Sequence, residues 1–514
     1  MRAPIWAVGP SRPAPRLRGH VRADVCVVGA GMAGLSTAWR LAAAGRSVAV
    51  LDAREPGMGE TSRTTAHLVT ALDRGWSTLT AIHGDTLAQL AADSHRAAID
   101  AIETACRDEH IDCHFARVDG FLFAAPGTAH GALENELDAA RRAGIEGVEM
   151  VSRAPLRGYD TGPCVRFPRQ AVCHPLRLLA GLRTAITRRG GRVFGHTRVE
   201  SIDPGRPARV QAADGATVTA DAVVIATNPP IAGVPTLHAK QAPYRTYAIG
   251  AWVPRGSIVD ALYWDTEEPF HYARLEHSTE DRDVLIVGGE DHRTGQGGGT
   301  ANERYRRLVR WSRVRFPTMG AVAFHWSGQV MESVDGLAFI GRARADTDMF
   351  VVTGDSGNGM THGMVAALLL GDLIGGHRNS WQAVYDPHRV RVGSVGRLVR
   401  ENLNVASQLA DWIRPGDVGD ADAIAPGSGA ILRRGLRRVA VYRRASGELR
   451  ELSAVCPHLG CIVRWNAAER TWDCPCHGSR FHPEGAVLSG PTTRGLAPLE
   501  VEPEAVPERH RKRK

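Results

Sequence analysis

The chain has 514 residues, 43% hydrophobic and 23% charged, an ordinary balance for a soluble globular protein that indicates neither a disordered chain nor a membrane protein. Its length suffices for roughly three domains, each with its own core. The net charge of +8 comes almost entirely from dispersed arginine, because Lys240, Lys512 and Lys514 are the only lysines; no nucleic-acid patch is expected, and the dense run ERHRKRK (Glu508 to Lys514) reads as a solvated tail.

Pro, Arg and Gly interrupt the residues after Met1, so no secretory signal is expected. MVAALLLGDLIGG, the longest approach to a membrane span, contains Asp372. The expected location is the cytoplasm, with no membrane span. In that reducing compartment Cys26, Cys106, Cys113, Cys164 and Cys173, which lack ligand spacing, read as core thiols.

ADVCVV reads as a buried strand, GAGMAGLSTAWRLAAAG as a Gly-rich turn entering a helix, and RSVAVLDA as a second strand. Gly29, Gly31 and Gly34, with Ala30 between the first two, complete G-x-G-x-x-G in this βαβ context. The first glycine permits the tight turn, the second admits a pyrophosphate close to the backbone, and the third lets helix and strand pack. Asp52 ends the second strand, about 20 residues on, where a carboxylate can accept from a ribose hydroxyl. Together these predict a dinucleotide site.

A helix is expected from Asp85 to about Asp108 with Leu87, Leu90, Ile99 and Ile102 on its apolar side, and another over HPLRLLAGLRTAITRRGG. From Ala242 to Gly328 the chain is strand-rich and aromatic, as for a sheet lying over a ligand. MFVVTGDSGNGMTHGMVAALLLGDLIGG repeats the order of strand, Gly-rich turn and helix. This second turn, with Gly354, Gly357, Gly359 and Met360, can direct backbone donors and a helix N-terminus at the electron-rich end of a flavin. Residues 386–429 show little apolar periodicity, and APGSGA within them reads as a linker. An all-β pattern follows to about Glu502.

That final segment holds Cys456 and His458 in one loop and Cys474 and His477 in another, with Cys461 and Cys476 beside them. Zinc also takes Cys and His, but six candidates would compete for four places, and structural zinc usually has paired C-x-x-C or H-x-x-x-H arms. The spacing fits a 2Fe-2S centre in which two cysteines hold one iron and two histidines the other.

Two resemblances extend this reading. GETSRTTAHLVT, TRVESI, VVIATNPP, DGLAFIG and TGDSGNGMTHGMVAALLLGDLI resemble, in order, the D-amino acid oxidase and glycine oxidase superfamily over residues 22–390. The resemblance implies FAD bound by the fingerprint and by Ser62, Arg63, Thr64 and Thr65, with Val199 near the adenine, the second Gly-rich turn near the isoalloxazine, and a sheet-based domain capping the flavin. Some relatives link flavin to a histidine in the region of His67, although its position matches theirs poorly.

The boxes C-x-H-L-G-C and C-P-C-H-G-S resemble the Rieske proteins of cytochrome bc complexes over residues 427–500. That resemblance implies a disulfide between Cys461 and Cys476, and a hydrogen bond from Ser479 to the cluster. Those proteins usually carry Tyr two residues after the Gly-Ser pair, where this chain has Phe481.

The expected fold is therefore an α/β Rossmann-like FAD-binding domain (20–80, 150–235, 330–390) with an inserted α+β substrate or capping domain (81–149, 236–329). A linker (391–426), an all-β Rieske domain (427–503) and a basic tail (504–514) follow. The combination predicts a dehydrogenase that oxidises a small amine or amino acid at its C–N bond and passes electrons singly to an external protein or small-molecule acceptor. The alternative is a non-catalytic redox relay between proteins. Arg245, Arg274 and Arg293 are candidates for a substrate carboxylate, and His271, Tyr272, His325 and Trp326 for the flavin face. No general base stands out.

Overall fold

The computed structural model describes residues 4–6, 13–232, 235–297 and 299–499; all of the expected basic tail and the end of the expected Rieske segment lie outside them. At the centre of the first sheet, His20–Val28 pairs in parallel with Val48–Leu51 on one side and Thr217–Ile225 on the other. Met349–Thr353 continues the sheet in parallel beyond Thr217–Ile225, and Arg192–Phe194 does so beyond Val48–Leu51.

Side-chain alternation divides two cores across this sheet. Val25, Val27 and Val50 face the helices Met32–Ala43, Asp85–Asp108 and Gly359–Ile374, whereas Cys26, Val28 and Leu51 face Val210, Val218 and Leu237. The first Gly-rich turn thus emerges from a strand buried on both faces, with little freedom to move.

The second sheet runs Val322–Ser333, Gln241–Pro254, Arg282–Arg293, His271–His277, Leu262–Asp265, Ala116–Phe123, Cys164–Val172 and His67–Leu68. Helix Ala301–Arg315 packs on its outer face through Leu308 and Trp311. Its inner face looks towards the C-terminal ends of the parallel strands, where open α/β sheets bind ligands. C-terminally, Gly429–Arg434, Arg437–Arg443 and Leu449–Ser453 form a three-stranded sheet, and Arg464–Asn466, Thr471–Asp473, Arg480–Phe481 and Val487–Ser489 a four-stranded one.

Three expectations of organisation need correction. Asp85–Asp108 belongs with the first sheet, because Ile99 and Ile102 share a core with Met364 and Val365. Cys164–Val172, expected with the nucleotide domain, pairs with Ala116–Phe123 in the second sheet. The expected linker contains the helix Val395–Gln408, whose exposed Val395, Val399 and Leu403 dilute its apolar signal. Of the five scattered cysteines, four are buried and Cys106 is half-buried, its sulfur 3.3 Å from that of Cys113.

The first turn shows why glycine is required there. Gly29 has φ +105°, and a Cβ on Gly34 would lie 1.8 Å from the Gly29 carbonyl oxygen. Gly34→Ala must therefore separate the helix from the strand. It is expected to destabilise the protein by about 3 kcal/mol, with a lowered Tm in thermal unfolding and a reduced flavin content in the purified protein.

Candidate functional site

A cavity of about 570 Å³ lies between the two sheets, lined by Gly29, Gly31, Asp52, Arg63, Thr64, Thr65, Val199, Gly357, Gly359 and Met360 among the expected cofactor residues. Ala30, Gly34, Ser62 and Gly354 do not line it. Ser62 turns its hydroxyl back to the Gly59 carbonyl, and Gly34 acts through packing. Asp52 accepts from the backbone amides of Ala30 and Arg54 at 2.8 Å, which fixes the carboxylate at the turn while leaving lone pairs for a ligand. His67 lines the cavity and leaves Nε2 buried without a hydrogen-bond partner; burial holds its pKa down at about 3. Fingerprint turn, carboxylate, second Gly-rich turn and an orphaned ring nitrogen on one elongated cavity fit a dinucleotide flavin.

Of the residues considered for substrate contact, Tyr272 and Trp326 line the cavity, and His271, Arg274, Arg245, Arg293 and His325 do not. Trp326 donates from Nε1 to the Arg63 carbonyl at 2.8 Å, tying the sheet to the cofactor loop. His271 stacks on Trp311 in a cage of Asp265, Glu267 and Glu290; burial lowers its pKa, but Asp265 and Glu290 raise it to about 9. Arg274 pairs with Glu276 and donates to the Ala66 and Cys173 carbonyls, and Arg293 bonds Glu401 at 2.9 Å. Neither guanidinium is available to a substrate carboxylate. His325 packs edge-on against Tyr305.

Asp73, Glu268, Asp291 and Asp355, none of them expected, do line the cavity. Burial, reinforced by neighbouring carboxylates, raises Asp73 to about 8 and Asp355 and Asp291 to about 7. Asp355 sits in the second Gly-rich turn, but Asp73, Glu268 and Asp291 carry no motif and lie far apart in the chain, so only the fold could reveal them.

In the C-terminal region each loop is closed by its own backbone: Cys456 N–H donates to Cys461 O at 2.9 Å, and Cys474 N–H to Ser479 O at 2.7 Å. Cys461 and Cys476 form a disulfide between the loops, with Cα atoms 6.5 Å apart. Hydrogen bonding to Cys474 lowers the pKa of the Cys456 thiol to about 7. The rings of His458 and His477 lie 5.0 Å apart. Buried and without hydrogen-bond partners are His458 Nδ1 and the Ser479 hydroxyl, the latter adjacent to Cys456. Two thiols, two imidazoles and orphaned donors in a nearly dry pocket fit a cluster held by two cysteines and two histidines.

The two halves of the molecule interlock. Arg245 pairs with Asp473 at 3.2 Å, both fully buried, and Arg480 reaches Asp473, Glu469 and Glu60. Arg63 pairs with Glu469 at 2.8 Å, and Gln329 donates to the Gly478 carbonyl at 3.0 Å. Leu488, Ser489, Gly490, Thr492 and Thr493 form part of the flavin-cavity wall. Gly490 packs so tightly on Ser479 that a Cβ there would lie 2.4 Å from the Ser479 Cα. On the cluster side, the His238 ring stands 4.7 Å from that of His458 and 5.8 Å from that of His477.

The family model for FAD dependent oxidoreductases matches residues 24–373, and the Rieske [2Fe-2S] domain model matches residues 415–500. The chain belongs to the FAD-dependent oxidoreductase family. It carries FAD and, in its Rieske domain, a 2Fe-2S cluster. It is 29% identical to the Rieske 2Fe-2S iron-sulfur protein YhfW of Bacillus subtilis, over 97% of both chains. It is 27% identical to gamma-glutamylputrescine oxidoreductase of Escherichia coli, over 73% of this chain and 89% of that one. Glycine oxidase from Geobacillus kaustophilus has the same fold over 72% of this chain and 99% of its own, with a TM-score of 0.59 at 20% identity. Among the described residues no helix is long and apolar enough to cross a membrane.

Two predictions follow from these contacts. Burial opposes ionisation of Asp473 and Glu469, yet their arginine partners hold both below the usual carboxylate range. Their stabilisation is therefore complete above about pH 4 and is lost as pH falls through the depressed folded-state values. Asp473→Ala leaves Arg245 and Arg480 short of a buried counterion; denaturant unfolding is expected to show a loss of about 3–5 kcal/mol at neutral pH and a shallower decline in acid than the parent protein. Separately, Phe481 is buried in one apolar cluster with Cys456, Cys461, Cys474 and Cys476. A phenolic donor there would stabilise the reduced cluster, so Phe481→Tyr is expected to raise the midpoint in a redox titration; an unchanged or lower midpoint would sink the idea.

Proposed function

We propose that this FAD-dependent oxidoreductase oxidises the C–N bond of an amine or amino acid and delivers the two electrons one at a time to an external acceptor by way of the Rieske cluster. FAD held at this site would supply hydride-accepting chemistry for the carbon next to nitrogen and the cluster would supply one-electron carriage; the proton lost from nitrogen would go to solvent and the imine product would hydrolyse in water. The observation that carries the coupling is the segment Leu488–Thr493, which walls the flavin cavity and, through Gly490, packs on the loop holding Ser479.

In this reading Cys456, His458, Cys474 and His477 hold the cluster and the disulfide braces their loops. The fingerprint turn and Asp52 hold the adenosine end of FAD, and Gly357, Gly359 and Met360 its ring end. Trp326 and Arg63 lock the cofactor loop, with Arg63 donating to the Ser327 carbonyl at 2.7 Å. The Escherichia coli relative acts on gamma-glutamylputrescine, an amine derivative, which supports the substrate class.

Anaerobic mixing of the holoenzyme with a panel of amines, amino acids and N-methyl amino acids tests the proposal. The expected result is flavin bleaching followed by a reduced Rieske signal in EPR. Bleaching only by a reductase with NAD(P)H would instead establish a relay between proteins.

A further inference from the structure

The carboxylates on the cavity wall bear on which amine fits, given the C–N oxidation proposed above. Asp73, Glu268 and Asp291 act on one another or on Tyr272 electrostatically, and Trp264, Phe270 and Tyr272 line the same cavity. Asp291 is aimed inward by a bulge: pairing of Gln241–Pro254 with Arg282–Arg293 slips between Arg245 and Tyr247, opposite Gly289 and His292. Glu290, at φ +62°, lies in that slip and turns outward to Arg307, which leaves Asp291 on the cavity side. The Oδ1 atom of Asp291 is fully buried and has no hydrogen-bond partner. Such an atom is costly unless a ligand supplies a donor.

Among the described residues, cations offset these acids only in part: Arg74 favours the ionised form of Asp73 and His271 that of Asp291, but burial outweighs both. The arginines lining the cavity are Arg54, Arg63, Arg74 and Arg198. Arg63 is bound to Glu469 and Arg74 to Glu332 at 2.9 Å, while Arg54 and Arg198 act on Asp52 at the fingerprint end. A substrate carboxylate would meet three acids and no free guanidinium, whereas an ammonium group would find carboxylate oxygens and aromatic faces together.

We infer that the substrate is an alkyl diamine or polyamine, in which a second protonated nitrogen, remote from the C–N bond oxidised, binds at Asp291 with Asp73 and Glu268, and that no carboxylate is recognised. Asp73 and Glu268 supply further carboxylate oxygens on the same wall, and Asp291 is the residue that determines specificity.

The test is anaerobic stopped-flow reduction of the full-length holoenzyme by 1,4-diaminobutane, spermidine, butylamine, glycine, N-methylglycine and proline. The diamine and spermidine are expected to reduce the flavin at least about tenfold more efficiently than butylamine, and the amino acids to be poorer still. Asp291→Asn should raise the apparent Kd for 1,4-diaminobutane about tenfold, and by a larger factor than that for butylamine; an unaltered flavin spectrum checks that the variant is folded. An amino acid that matches the diamine, or an Asp291→Asn enzyme that binds the diamine normally, overturns the inference while leaving C–N oxidation intact. If nothing in the panel reduces the flavin, the oxidation itself fails and binding decides: a flavin absorbance shift with 1,4-diaminobutane that Asp291→Asn abolishes sustains the recognition site, and no shift overturns it.

Discussion

The buried ion network of Arg245, Arg480 and Arg63 with Asp473, Glu469 and Glu60 is the constraint on which the arrangement of the two redox centres depends. Taking these charges out of water is costly, and the cost is offset only while every partner is present and correctly placed. Such a network tolerates little sliding. Its members come from the cofactor loop, the second sheet and the Rieske strands, so it fixes all three together. The Rieske domain is thereby held as part of the flavin-cavity wall, and no swinging movement is needed to bring the two sites together.

Fixed docking also determines which side of the cluster loops faces outward. His477 is buried, and the His238 ring packs against both candidate imidazole ligands. The outward part of the first loop is its tip, where Leu459 is 62% exposed. Ser479 and His238 thus lie on the packed side of the loops and Leu459 on the open side.

The elements with strong periodicity were legible in the sequence because their cores are local. Asp85–Asp108 and Gly359–Ile374 follow the apolar spacing, and the fingerprint glycines stand where strand and helix collide. The metal-type loops were legible because ligand spacing is short. Membership of a sheet was not, since Cys164–Val172 joins its partners through pairings distant in sequence. Arginine misled for a related reason: in a chain this rich in it, Arg245 and Arg274 look like ligands, and only their partners reveal that they are structural. Asp291 was invisible because its direction is set by a bulge one residue away, and a one-residue slip exchanges the faces of a strand.

Burial acts on both sets of carboxylates, and the partners decide what it produces. Asp473 and Glu469 are buried with guanidinium groups, stay ionised, and hold the domains together. Asp73, Asp291 and Asp355 are buried without enough cationic charge, and their pKa values rise towards neutrality. By linkage, the ionised form of the second set costs the empty protein stability as pH rises from the unfolded carboxylate range through about 7 to 8. A bound cation removes that cost by supplying the missing charge, and the stability it restores appears as binding affinity. The interface acids are thus matched by cationic partners within the chain, whereas the cavity acids have neutral partners such as Asn358 but too little cationic charge until a cation enters, which is the physical difference between a scaffold and a site.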